Sequence, residues 1–150
     1  MGGDSGKNAP FSRSRISLDV FDISDRAVVS GARRVTLSQL KERDYDLICL
    51  TNVLEHVPYP AKVLDGILDV VVAESIVYIE VPLDAIMSLD GATALAAKRH
   101  WHEHINCFSK QALATLLAET GFFVESIVQT EVFAFGSHGS ILQAVARRAE

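Results

Sequence analysis

Two clusters of polar residues carry groups that can move protons or hold a ligand. The first, Thr51, Asn52, Glu55 and His56, follows directly on the apolar run Leu47 to Leu50. A carboxylate next to an imidazole can take up or release a proton near neutral pH. The same residues can equally cap or pack a turn, and the sequence leaves both roles open. The second cluster, RHWHEHINCFS, sets His100, His102 and His104 at alternate positions with Glu103 before the last. In an extended segment alternate residues share one face. Ligands so arranged on one strand diverge too little to wrap an ion, so no metal is expected. Asp22, with Ile23 beside it, ends the run ISLDVFDI. Its carboxylate can accept two charge-assisted hydrogen bonds from vicinal hydroxyls, or it can hold the turn before Ser24.

These groups need a frame, and the hydrophobic pattern supplies one. Four apolar residues without a polar break, Leu47 to Leu50, predict a parallel strand covered on both faces, with helices on both sides. Cys49 lies in that strand and is expected to be an inert core thiol. In open α/β sheets ligands bind beyond the carboxyl ends of the strands, and there the first cluster stands. Ile16 to Ile23 predicts another strand, Asp25 to Ala32 a short helix, and Arg34 to Val35 an edge strand. Thr36 with Gln39 matches a capping box. After Pro58 and Pro60, the spacing of Val63, Leu64, Ile67, Leu68 and Val71 predicts an amphipathic helix. Ser75 to Val81 predicts a buried strand stopped by Pro82. Ser109 and Gly121 bracket a helix over Lys110 to Thr120. Phe122 to Phe133 and Ser140 to Arg147 predict two strands joined by GSHGS, with His138 idle in the turn.

Composition narrows the function classes. A chain of 150 residues that is 49% hydrophobic is expected to fold as one domain, 1–150. A formal net charge of −5 lacks the basic footprint of a nucleic-acid binder. Acidic residues interrupt the most apolar region, so neither a membrane span nor a signal peptide is expected, and the cytoplasm is the default compartment. The start, residues 1–15, is Gly-rich. Lys7 is followed by Asn8, which excludes a phosphate-binding loop of the GxxxxGK[ST] kind. Gly2, Gly3 and Gly6 remain either a flexible start or part of a cofactor loop. Gly2 precedes Asp22 by about 20 residues, the interval from a Rossmann glycine loop to its ribose-binding carboxylate.

The string DYDLICLTNVLEHV, followed by Pro58, Pro60, the amphipathic helix and SIVYIEVP, resembles the fourth-strand region of class I S-adenosylmethionine-dependent methyltransferases. The resemblance runs from about Ile16 to the C-terminus. It implies an α/β fold, a Rossmann-like doubly wound sheet, mostly parallel with a C-terminal antiparallel hairpin, and N-terminally incomplete because the first, central strand precedes GGDSG. Exposed strand edges of that kind invite pairing with a second copy, a homodimer. The resemblance further implies S-adenosylmethionine as cofactor, held by Gly2, Gly3, Gly6, Asp22, Ile23 and Asn52, and a small-molecule acceptor bound by an insertion at 83–108. WHEH is similar to the YHEH segment of sugar C-methyltransferases, whose Glu and second His act in proton removal. Carried over, those are Glu103 and His104, with Trp101 in place of the Tyr. Two rivals stand beside this reading, a nicotinamide-dependent Rossmann oxidoreductase and a degenerate domain kept for interaction.

Overall fold

The computed structural model describes residues 5–7, 17–24, 26–83, 104–134 and 137–150. Gly2, Gly3, Asp4, His100, Trp101, His102, Glu103 and most of the 83–108 insertion lie outside the described residues, as does the side chain of His138. The elements are β1 (Leu18–Val20), β2 (Ala32–Arg34), α1 (Leu37–Leu40), β3 (Leu47–Thr51), α2 (Pro60–Leu68), β4 (Ile76–Leu83), α3 (Lys110–Glu119), β5 (Phe122–Ala134) and β6 (Ser137–Arg148). They form an α/β fold of the Rossmann-like class with mixed sheets. β1 and β2 pair in parallel, and a second sheet has the order β3-β4-β6-β5. Within it β3 and β4 are parallel, whereas β6 runs antiparallel to both β4 and β5. The C-terminal hairpin forms, but β6 starts at Ser137, so His138 pairs with Phe133 in the ladder and is not in the turn where the sequence put it. Among the described residues no hydrogen-bonded ladder joins the two sheets.

Side chains bridge them instead. Tyr45, just before β3, donates its hydroxyl to Asp19 Oδ2 at 3.0 Å, and Arg33 of β2 donates to both oxygens of Asp19 at 2.9 and 2.6 Å. The Arg33 guanidinium, ahead of Tyr45, holds the Asp19 carboxyl below its ordinary range. Asp19 is thus a structural carboxylate.

Both longer helices pack on one face of the larger sheet. Leu64 of α2 and Leu113 and Leu117 of α3 meet Leu50, Val77, Ile79, Val81, Leu142, Ala144 and Ala146 in a single core. Pro60 opens α2 as its first residue, where a missing N–H costs nothing. Thr36 and Gln39 complete the capping box of α1, and the Ser109 side chain caps α3 through Ala112 N. Gly121 ends that helix at φ +82, a left-handed conformation, and an added Cβ would stand 3.1 Å from Leu68 Cδ1.

Four further expectations need correction. The described residues cover β3 on one face: Leu50 is buried, but Cys49, on the opposite face, is exposed. An unbroken apolar run cannot reveal which face lacks a cover. The helix expected over Asp25 to Ala32 is absent from the described part, since Arg26 to Val29 is irregular and ends in a turn closed by Ala32 N and Val29 O at 3.0 Å. β1 covers Leu18–Val20 alone. Pro82 does not stop β4, which pairs onward with β6 to Leu83. Asn52 N bonds to Glu80 O, so alternate residues of β4 turn their polar backbone toward β3. At Pro82 β3 has already ended, and no ladder bond is lost.

The open face of the sheet carries a polar chain. Tyr78 donates to Glu80 Oε2 at 2.8 Å, Gln143 Nε2 donates to the Tyr78 hydroxyl and to Glu80 Oε2 at 2.8 and 3.1 Å, and Thr130 donates to Gln143 Oε1 at 2.8 Å. Burial, followed by the bond to Glu80, pushes the Tyr78 phenol from 10.0 up to about 12. The folded chain therefore keeps a proton that the unfolded chain loses. This contribution to stability is intact below pH 10 and declines as pH rises toward 12. Urea midpoints measured across that interval are expected to fall more steeply for the wild type than for Tyr78→Phe, which has no proton there to lose. No helix among the described residues is long and apolar enough to cross a membrane.

Candidate active site

The carboxyl ends of β1 and β3 carry the groups singled out in the sequence. At β3 the chain leaves the sheet through Asn52, whose φ of 53 is left-handed, while its N–H still donates to Glu80 O at 3.0 Å. Asn tolerates this conformation better than most residues. The next three residues, Val53, Leu54 and Glu55, turn inward and are buried, and His56 N closes the turn on Val53 O at 3.1 Å.

The segment His104 to Asn106 is laid onto this turn. Ile105 N and Asn106 N both donate to the backbone oxygen of Glu55, at 2.7 and 3.0 Å. The Asn106 side-chain amide donates to Leu54 O at 3.0 Å and to Val57 O at 2.7 Å. Four hydrogen bonds thus join parts of the chain some fifty residues apart. As a result the His104 and His56 rings meet edge to face, centroids 5.1 Å apart and planes at 68°. Glu55 lies under them with its side chain 1% exposed, and its Oε1 is 3.6 Å from His56 Nε2. Sequence reasoning placed Glu55 and His56 in one cluster and His104 in another, whereas the fold makes them one site. It missed Asn106. The available signal was an amide residue between the histidine cluster and the buried Phe108, which no pattern rule distinguishes from a turn former.

At β1 the turn Ser5 to Lys7 lies over the strand. Ser5 O accepts from Val29 N at 2.9 Å, and Gly6 has φ +75. A Cβ on Gly6 would stand 2.8 Å from Val20 Cγ2, so only glycine lets the backbone approach so closely. Asp22 follows the strand and accepts from Ser24 N at 2.7 Å through Oδ1. Arg34 of β2 ties this loop down, donating to Asp22 O at 3.3 Å, to Ser24 O at 2.6 Å and to Arg26 O. Sequence reasoning assigned Arg34 only to an edge strand and missed this part. Ile23, 76% exposed, presents an apolar side chain next to the Asp22 carboxylate.

A carboxylate two residues beyond β1 with an exposed apolar neighbour is chemistry that fits a nucleoside cofactor with a ribose diol. Gly2, Gly3 and Glu103 lie outside the described residues, so the structure does not join them to either group.

Among solved structures the chain is similar to a SAM-dependent methyltransferase from Methanosarcina mazei, with a TM-score of 0.72 and 16% identity over 99% of this chain and 91% of that one. It is also similar to the 1,6-didemethyltoxoflavin-N1-methyltransferase of Burkholderia thailandensis, whose structure holds 1,6-didemethyltoxoflavin and S-adenosylhomocysteine (TM-score 0.68, 17% identity, 99% of this chain and 69% of that one). LepI in complex with SAM matches 99% of this chain at 13% identity with a TM-score of 0.65, and the chain spans 41% of LepI's length. No curated protein sequence matches this one. The model of the methyltransferase domain matches residues 1–127, most of the sequence, and the chain therefore belongs to the methyltransferase-domain family.

Proposed function

We propose that this protein moves the methyl group of S-adenosylmethionine to a small-molecule acceptor, a sugar or glycan precursor being the class favoured by the likeness of WHEH to the YHEH segment. One observation carries the reading: His104 is fixed against Glu55 and His56 at the carboxyl end of β3, the sheet edge that also carries Asn52. The bound cofactor supplies a sulfonium methyl group for in-line displacement. Asp22 binds the ribose hydroxyls, Gly6 lets the backbone approach, Ile23 lies along the nucleoside, and Asn52 orients the amino-acid end. His104 takes the proton from the acceptor, and Glu103 orients that imidazole. Holding donor and acceptor in line supplies roughly 7 to 11 kcal/mol in favourable cases. A general base adds about 10² to 10⁴ in rate. The 83–108 insertion walls the acceptor. The cytoplasm is the proposed compartment, and the outer edge of β3 the proposed homodimer contact.

Calorimetric titration with S-adenosylhomocysteine and, separately, with NADH tests the reading. Micromolar binding of the first and no heat from the second are expected. The reverse pattern overturns it in favour of a nicotinamide enzyme. Silence with both ligands, from a folded chain, assigns a non-catalytic role instead.

A further inference from the structure

The nitrogen and oxygen atoms that Glu55, His56 and His104 offer all lie within 4.8 Å of one another. We propose that these three side chains form a binding site for a first-row divalent transition ion, with zinc as the reference ion. One carboxylate and two imidazoles suit such an ion and are poor ligands for magnesium, which prefers oxygen and water.

Three observations support the assignment. First, the Glu55–His56 spacing of 3.6 Å is too long for a hydrogen bond. Two ligands about 2.1 Å from one ion at the tetrahedral angle stand about 3.4 Å apart, so these atoms already have nearly the spacing that shared coordination requires. Second, the Glu55 side chain is 1% exposed. A carboxylate so placed presents a charged oxygen to an ion while competing water is kept away. Third, the frame is rigid where it has to be. The Glu55 carbonyl accepts two backbone N–H groups, and Asn106 bonds to the carbonyls on either side, so the two chain segments that carry the ligands cannot drift apart. The site takes His104 from the alternating set and pairs it with the segment after β3.

Binding at this site does not depend on the function proposed above. Its consequence does: with three protein ligands the ion would leave a position for an acceptor hydroxyl and lower its pKa, the released proton passing to bulk water in place of the His104 imidazole.

The test uses the untagged full chain, stripped with a chelator, titrated with zinc chloride by calorimetry and with cobalt(II) by visible absorption. One ion per chain is expected. Glu55→Gln, which keeps shape and removes charge, and His104→Ala are each expected to weaken zinc binding by about tenfold or more. A His100→Ala/His102→Ala double variant is expected to bind as the wild type does. Circular dichroism checks that each variant is folded; should Glu55→Gln fail to fold, the His104→Ala and double-variant comparison decides alone. Absence of zinc binding overturns the proposal. So does binding that survives in His104→Ala and disappears in the double variant. Because the zinc titration contains no methyl donor and the S-adenosylhomocysteine titration no metal, failure of either proposal is read separately.

Discussion

Replacing His104 by alanine is expected to lower methyl-transfer turnover by about a hundredfold or more while leaving affinity for S-adenosylhomocysteine unchanged. The expectation follows from where the fold puts this residue. His104 is half-buried at the start of the segment that Asn106 fastens to the turn after β3, and its ring faces His56. The groups assigned to the cofactor, Gly6, Asp22 and Ile23, belong instead to the loops around β1. A residue that serves only the acceptor's proton contributes in the transition state, so its loss appears in kcat and not in cofactor binding. Turnover is measured with a radiolabelled methyl donor and a mixture of nucleotide sugars, and cofactor affinity by calorimetry. Equal turnover removes His104 from the mechanism. Equal loss of turnover and cofactor affinity assigns it to the frame of the site.

Metal content separates the two ways in which His104 can serve. With the imidazole as the base itself, turnover is indifferent to a chelator; with the imidazole bound to an ion, a chelator abolishes turnover and zinc restores it.

The elements whose residues meet neighbours in sequence were legible before the structure. Thr36 with Gln39, Ser109 with Ala112, and Pro60 at the head of α2 are local signals, and each element begins where its cap predicts. What escaped depends on contacts that only the fold creates. Leu47 to Leu50 is apolar throughout, yet Cys49 is exposed, because coverage of a strand face is decided by which helices cross it. Pro82 looked like a strand stop, yet its missing N–H falls on the side where β3 has already ended. The site shows the same division. Glu55 and His56 were visible as polar residues after a buried strand, and His104 as part of a histidine-rich string. That the two strings meet was not visible, since the link is made by Asn106 across about fifty residues with no periodic trace. Arg34, which fastens the Asp22 loop, escaped for the same reason.

Asp22→Ala is the substitution for which the two readings of one carboxylate predict different outcomes. Asp22 Oδ1 accepts from Ser24 N at 2.7 Å, which is the turn role that the sequence left open beside the ribose role. These roles are compatible, because a carboxylate has about four acceptor directions and the turn uses one of them. A charged acceptor contributes about 1.5 to 3 kcal/mol per hydrogen bond. Loss of the ribose contacts should therefore weaken S-adenosylhomocysteine binding by about tenfold to a hundredfold. Asp22→Asn sharpens the test. Its amide oxygen still accepts from Ser24 N, so the loop and the thermal midpoint should stay as in the wild type. Its charge is gone, and an amide presents only one oxygen to a diol, so cofactor affinity should still fall by about tenfold. Calorimetry and thermal melts on both variants separate the roles. If Asp22→Ala lowers the melting temperature and both variants bind S-adenosylhomocysteine like the wild type, Asp22 is a turn residue and the ribose assignment fails. If Asp22→Asn melts normally and binds weakly, the carboxylate holds the cofactor through charge and geometry that Arg34 and the Ser24 turn have fixed in advance.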